Sequence, residues 1–281
     1  MKVNYKSMKY IKTLVITGIL AVIAQNIQAE DFASLYTIRD AGKGALNADF
    51  STSSYSGKEI ARITGSGYDG KYSGYSNQLS VGGNIGIGYN TELLIIAPYV
   101  FNSYQEVHFD NGIKDDAKHS GLTTVTVGAK YRLFTSDDGK NEVQLRGYLT
   151  AKDAIMQNEE ADLTYLYKFS DTTKIALDAR YYGEHNGPET KGINVALMTN
   201  IAPNILLMPF VKTTYIDAYQ TYTSYNTQEA ALSVRFNADE HWHITPEVFL
   251  VHNNEHDTNY YANNIGTSTT YGFELKVQRE F

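Results

Sequence analysis

The sequence contains no cysteine, only 5 proline residues and a single tryptophan among its 281 residues. Without cysteine the chain cannot form a disulfide framework, an iron–sulfur site, a zinc ribbon or a thiol nucleophile. Hydrophobic residues make up 42% of the sequence, which is too many for a disordered chain. These absences leave a folded protein without thiol chemistry.

A basic excess is also missing, since 31 acidic residues face 24 lysines and arginines. Four of those lysines lie in residues 1–29, which contain no acid, so residues 30–281 carry 31 acidic and 20 basic residues, a formal charge of −11. Nucleic-acid-binding proteins present a basic face, so this balance argues against a nucleic-acid partner.

Long apolar runs are confined to the N terminus. Lysines between positions 2 and 12 precede an apolar stretch at 13–24, and Ala29 offers a small residue just before Glu30. This layout predicts a secretory signal peptide over residues 1–29 and an exported domain over 30–281, because the stretch is too short for a stable membrane helix. An N-terminal anchor helix is the alternative, and Met8 is a second possible start.

The rest of the chain alternates between apolar and polar residues. Val143, Leu145 and Leu149, for example, are separated by Gln144 and Arg146. Such a period of two puts one strand face in an apolar medium and the other in a polar one. The pattern predicts twelve strands, near 44–55, 77–89, 92–103, 121–134, 142–152, 159–169, 174–184, 192–202, 205–216, 227–236, 242–252 and 269–281. Most are longer than the usual five or six residues and suit the ~9–11 residues of a tilted membrane-spanning strand.

The connections between these strands fall into two alternating sets, one mostly short and one mostly longer. The short ones include Asn90-Thr91 and Pro203-Asn204, and the others lie at 135–141, 170–173 and 237–241. The longer ones are 56–76, 104–120, 153–158, 185–191, 217–226 and 253–268. This sorting predicts an all-β fold, a transmembrane antiparallel β-barrel of about twelve strands in the bacterial outer membrane, with its short turns in the periplasm. A soluble sandwich has no reason to sort its loops by side.

Aromatic residues gather near the strand ends, and the last strand ends on Phe281. Tyrosine and tryptophan favour the headgroup level of a bilayer, although tyrosine is also a good strand former. The final strand resembles the C-terminal signal of outer-membrane proteins, which implies that Phe281 is an assembly signal read by the barrel-assembly machinery. Arg279 departs from that pattern, at a rim position from which it can reach water. Outer-membrane lipid and lipopolysaccharide are the other partners expected of such a barrel.

Residues 84–93, 97–99, 121–122 and 127–133 carry a further resemblance, including Asn84-Ile85-Gly86 and Ala97-Pro98. Over roughly a quarter of the chain, this order is similar to an outer-membrane family linked with meta-pathway phenol degradation, whose members are channels for small organic molecules. More weakly, the chain resembles twelve-stranded oligogalacturonate porins. These resemblances imply a channel for organic acids, aromatic compounds or short oligosaccharides.

Two motifs could carry chemistry in another context. Gly65–Gly70 has the GxGxxG spacing, but it lacks the preceding strand and following helix of a dinucleotide site. His252 and His256 flank an acidic residue, yet Asn253-Asn254 favours a loop over the helix that would align both rings on a metal. His252 also lacks the adjacent serine that a barrel lipid hydrolase needs. We therefore expect no metal, no cofactor and no enzyme activity.

The inward-facing charges are sorted by strand. Strands four to seven contribute Lys130, Arg132, Arg146, Lys152, Lys168 and Arg180 to the predicted pore lining. Strands ten to twelve contribute Glu229, Glu247, Glu274 and Glu280, partly offset by Arg235 and Lys276. Opposed charges across a pore would select solutes by sign and dipole, with anions enriched along the basic wall. Alternatively, Asp162, Asp178 and Glu184 pair with the neighbouring bases and join the strands together.

Together these features predict an outer-membrane channel for passive diffusion of small solutes. Twelve strands lie between filled eight-stranded barrels and open sixteen-stranded porins, so the lumen should be narrow. A structural or adhesive surface barrel with a closed lumen, whose outer loops bind a partner, is the alternative. A barrel lipid hydrolase is the least favoured function.

Overall fold

Twelve antiparallel strands close into a barrel, and their positions follow the alternating runs of the sequence. The computed structural model describes residues 32–60, 70–109, 112, 114–152, 155–185, 187–219, 223–258 and 263–281. A short helix, α1 (Phe32–Leu35), precedes the strands β1 (Gly44–Ile60), β2 (Gly70–Gly88), β3 (Thr91–Phe109), β4 (Lys114–Leu122), β5 (Val125–Thr135), β6 (Asn141–Lys152), β7 (Ile155–Lys168), β8 (Thr173–Glu184), β9 (Glu189–Ala202), β10 (Ile205–Ile216), β11 (Tyr225–Asn237), β12 (Trp242–Asn253), β13 (His256–Thr258) and β14 (Asn263–Glu280). The predicted signal peptide and positions 65–69 of the glycine motif lie outside the described residues.

The fourteen segments form twelve barrel positions. β4 and β5 are one strand interrupted at Thr123-Thr124, because both pair with β3, and β13 extends β12 along β14. Each strand pairs with the next, and β1 pairs with β14 to close the cylinder. At the seam, Gly44 and Phe281 exchange backbone hydrogen bonds of 3.0 and 2.9 Å. Closure leaves no sheet edge, which a bilayer requires, and the predicted barrel is confirmed.

The barrel is apolar outside and polar inside. On β6, Leu145 and Leu149 are exposed, whereas Gln144 and Arg146 are 0% and 1% exposed. The same alternation runs around the cylinder, so its outer wall presents large apolar side chains, as a lipid-facing surface does. The architecture and exterior are those of a bacterial outer-membrane protein. In the ranges described above, no helix is long and apolar enough to cross a bilayer.

Several strands run further than the sequence predicted at the end of the barrel that carries the long loops. β1 continues to Ile60, β2 begins at Gly70 and β3 continues to Phe109, so much of the predicted loops 56–76 and 104–120 is strand. β3 has 19 residues, about 60 Å of extended chain, roughly twice the apolar thickness of a bilayer. Beyond the bilayer both faces of a hairpin meet water, so hydrophobic alternation does not reveal these extensions.

The opposite end carries the short turns. Tyr89 and Asn90 connect β2 to β3 with φ values of 52° and 59°, which is the backbone of a two-residue type I′ turn. This places the turn one residue before the predicted Asn90-Thr91. In the turn between β11 and β12, Asp239 accepts hydrogen bonds from the backbone N–H groups of His241 and Trp242. These bonds hold the pKa of the Asp239 carboxyl below its usual value.

Candidate functional site

The lumen is the candidate site, and a segment of the chain that precedes β1 lies within it. After α1 the backbone passes through the barrel interior at the short-turn end, and Ala41 pairs with Gly86 before β1 begins. We call residues 34–40 the lumen segment. Leu35, Tyr36 and Ile38 of this segment are all buried.

An apolar patch on one side of the lumen holds the segment. Leu35 and Tyr36 belong to a buried cluster with side chains from β7 to β11. The wall contributes Leu166, Ala176, Ala196, Met198, Met208, Phe210 and Ala231. Burying a leucine-sized side chain stabilises by ~1.5–3 kcal/mol, so this patch anchors the segment.

Polar contacts fix the segment to the remaining walls. Ser34 Oγ lies 2.8 Å from Gln278 Oε1 on β14, and Lys130 Nζ of β5 donates to the Ser34 carbonyl at 2.9 Å. The Tyr36 hydroxyl donates to Asp178 on β8, and Gln144 of β6 donates to the Tyr36 carbonyl at 3.1 Å. The segment therefore spans the lumen from wall to wall.

Arg39 makes the ionic contacts of the segment. Its guanidinium lies 3.2 Å from Glu92 on β3 and 3.0 Å from Glu280 on β14. Glu92 is fully buried, and it also binds Lys130 at 3.0 Å and accepts a hydrogen bond from Asn84 at 2.7 Å. A buried carboxylate is tolerated only when it is paired in this way.

The predicted basic wall is a row of ion pairs. Arg146 Nη2 lies 3.1 Å from both Asp162 and Asp178, and Arg180 pairs with Glu160 and lies 3.6 Å from Asp162. This geometry matches the pairing alternative for Asp162 and Asp178.

Three other basic residues of the predicted lining lie closer to the barrel ends. Arg132 lies 3.1 Å from Glu142, and Lys168 pairs with Asp171 in the turn that follows β7. Lys152 is exposed at the long-loop end of β6. Glu184 lies at the end of β8, where its carbonyl accepts a hydrogen bond from the Gly187 backbone.

The predicted acidic residues face the lumen from the opposite wall. Lys212 on β10 binds Glu229 on β11 at 3.0 Å. Lys276 lies 3.1 Å from Glu247 and 2.9 Å from Glu274. The side chains of these five residues are at most 8% exposed.

Not every polar atom of the lumen is bonded to protein. Buried oxygens without a hydrogen-bond partner belong to Asn47, Asn194, Thr227 and Asn253. Buried polar groups almost always have a partner, which in a polar space is water. The inner wall is therefore polar beyond the lumen segment, on β1, β9, β11 and β12.

Interior glycines face aromatic rings on neighbouring strands. Gly272 on β14 lies directly opposite Phe249 on β12, and Gly128 on β5 lies opposite Tyr148 on β6. A Cβ at either glycine would lie 2.4 Å from the ring. Each ring thus lies along the wall over a position that must lack a side chain.

The remaining predicted residues do not converge on a reactive site. His252 points outward, and its Nδ1 lies 3.4 Å from the hydroxyl of Thr269, whereas the ring of His256 stacks on Tyr225. No group of metal-ligating side chains occurs among the residues that the structure describes. Arg279 lies over the ring of Trp242 at 5.6 Å. This cation–π contact stabilises a positive charge at an outward position of the last strand.

The sequence interpretation missed the lumen segment because residues 34–40 precede the first alternating run. A signal was present, because Leu35, Tyr36 and Ile38 make this stretch more apolar than an exposed linker needs to be.

Comparisons with known proteins support the fold. No family model matches the chain, and no curated protein matches its sequence. An outer-membrane channel from Pseudomonas putida F1 superposes with a TM-score of 0.56 at 15% identity, over 90% of this chain and 100% of that one. The NanC porin superposes with a TM-score of 0.50 at 10% identity, over 83% of this chain and 98% of the porin. The KdgM porin gives a TM-score of 0.45 at 14% identity, over 84% and 99%.

Proposed function

We propose that the protein is an outer-membrane channel for passive diffusion of small hydrophilic solutes. The observation that carries the proposal is the polar lumen, whose wall turns side chains such as Asn47, Asn194 and Thr245 inward. A barrel that served only as a scaffold would be no less stable with these groups replaced by apolar ones. Similarity in fold to a channel from Pseudomonas putida F1 supports the same function.

The lumen segment is the narrowest part of the proposed path. It bridges β3, β5, β8 and β14 through Arg39, Ser34 and Tyr36, so solutes cross the short-turn end only when it moves. Two ion pairs, several hydrogen bonds and one apolar patch hold it, and no barrel strand has to break for it to leave.

A closed structural or adhesive barrel is the second candidate. The observation in its favour is that most inward side chains, from Asn47 on β1 to Gln278 on β14, are less than one-tenth exposed. In that case the long-loop end would bind a partner and the lumen would conduct nothing.

Planar-bilayer conductance distinguishes the two. The backbone of the lumen segment passes so close to Gly86 that a Cβ there would lie 2.2 Å from the Asp40 carbonyl and 2.3 Å from the Arg39 carbonyl. Gly86→Ala should therefore displace the segment without changing any charge.

We expect discrete channels from wild-type protein and a larger or more frequently open conductance from Gly86→Ala. Gly147→Ala is the matched control, because a Cβ at Gly147 meets only one carbonyl, at 3.9 Å. Silence from all three proteins, each migrating as a folded barrel on unheated gels, would contradict the channel and favour the structural barrel.

A further inference from the structure

Three carboxylates on one wall of the lumen share a single ammonium group, and we propose that the open channel passes positively charged solutes in preference to anions. The inference rests on the proposed channel function and adds the charge of the solutes. Of the solute classes that the sequence resemblance implies, organic acids are the class it disfavours.

The two most buried guanidinium groups of the basic wall are neutralised by carboxylates. Arg146 lies 3.1 Å from Asp162 and from Asp178, and Arg180 bonds to Glu160 as well as approaching Asp162. Two guanidinium groups thus contact three carboxylates, of which Asp162 is shared between both. Anions passing this wall would meet cations already surrounded by carboxylates.

The opposite wall has a larger excess. Glu247 and Glu274 lie directly opposite each other in the register of β12 and β14, and Lys276 bridges them at 3.1 and 2.9 Å. Asp49 of β1 lies directly opposite Lys276, is 3% exposed, and has a buried Oδ1 without a hydrogen-bond partner. One ammonium therefore serves three carboxylates, and a passing cation would supply the charge that the cluster lacks.

Opening of the lumen segment increases this excess. Arg39 is the residue of the segment that forms ion pairs with Glu92 and Glu280. When the segment leaves, both carboxylates lose that guanidinium, while Lys130 remains on Glu92. The field of such groups is strong in a narrow lumen, because low-dielectric walls and limited water screen it less than bulk solvent does.

Reversal potential in a salt gradient tests the proposal. Full-length wild type and Gly86→Ala are reconstituted in planar bilayers with a KCl gradient, and the ratio of K⁺ to Cl⁻ permeability is measured. We expect a ratio above one, reduced roughly twofold or more by Asp49→Asn and further by the added Glu274→Gln. Asp137→Asn, in the exposed turn between β5 and β6, is the control and should leave the ratio unchanged.

A ratio below one in the wild type would overturn the inference, and so would an unchanged ratio in folded Asp49→Asn. The permeability ratio of the wild type, above or below one, tests the proposal even if Asp49→Asn does not fold. Absence of conductance in every folded variant would instead contradict the channel itself, and with it the selectivity.

Discussion

At the scale of single residues, the lumen is packed by pairing large rings with glycine. Phe249 lies over Gly272, and Tyr72 and Tyr55 lie over Gly57 and Gly74 in the same way. At these positions the ring lies flat against the neighbouring strand, so the residue directly opposite it is reduced to hydrogen. The alternating sequence predicts which residues face inward, but it does not predict which glycine faces which ring, because that depends on strand register.

Gly272→Ala should therefore destabilise the barrel. The added Cβ would lie 2.4 Å from the Phe249 ring and 2.6 Å from the Thr52 carbonyl of β1, so rotation of the ring alone cannot relieve the clash. We expect a loss of ~1–3 kcal/mol, measured as a lower temperature at which the folded band disappears from gels. Gly147→Ala serves as the control, and equal midpoints for the two variants would show that the packing is not tight at Gly272.

At the scale of elements, the strands were predictable and the lumen segment was not. A strand of ten or more residues repeats its alternation often enough to be recognised, as Val143 to Ala151 does on β6. Residues 34–40 contain the last two residues of α1 and a stretch without regular secondary structure, so no period develops. Ion pairs such as Arg146 with Asp178 join strands that are not neighbours, so spacing along the chain predicts them poorly.

A cysteine in the lumen segment should be protected from reagents. The natural chain has no cysteine, so Ser34→Cys introduces a single small thiol at a position that is 1% exposed. We expect it to react with a water-soluble maleimide at least roughly tenfold more slowly than Tyr89→Cys, which lies in an exposed turn. Adding Gly86→Ala should remove the protection at position 34 but leave the rate at position 89 unchanged. Fast labelling of Ser34→Cys without Gly86→Ala would show that the segment does not occupy the lumen.

At the scale of the whole molecule, loop length determines orientation. Turns such as Tyr89-Asn90 gather at one end, whereas the extended hairpins β1–β2 and β3–β4 rise from the other. Outer-membrane barrels place the short turns in the periplasm. The lumen segment, which enters from the short-turn end, then restricts the path on its periplasmic side.

Surface labelling of intact cells tests this orientation. Gly112→Cys, in the connection between β3 and β4, should react with a membrane-impermeant maleimide, whereas Tyr89→Cys should react only after the outer membrane is permeabilised. The opposite pattern would invert the barrel, and labelling of both sites in intact cells would contradict a single orientation.

A substitution of Phe281, at the closing seam, allows the stability of the finished barrel to be measured separately from its assembly in the cell. Phe281 contributes backbone hydrogen bonds to Gly44, and a phenylalanine-to-alanine change leaves these in place while removing a ring that is 54% exposed. If Phe281 is the residue that the assembly machinery reads, Phe281→Ala should lower the amount of folded barrel in the outer membrane severalfold. The same variant refolded in detergent should unfold at nearly the wild-type temperature, because surface substitutions away from the core cost little.

Phe236→Ala removes a ring of similar exposure at the same end of the barrel and is the control. An equal loss in cells for both variants would assign the effect to general lipid contact, and a matching loss of stability in detergent would make Phe281 a structural residue of the seam.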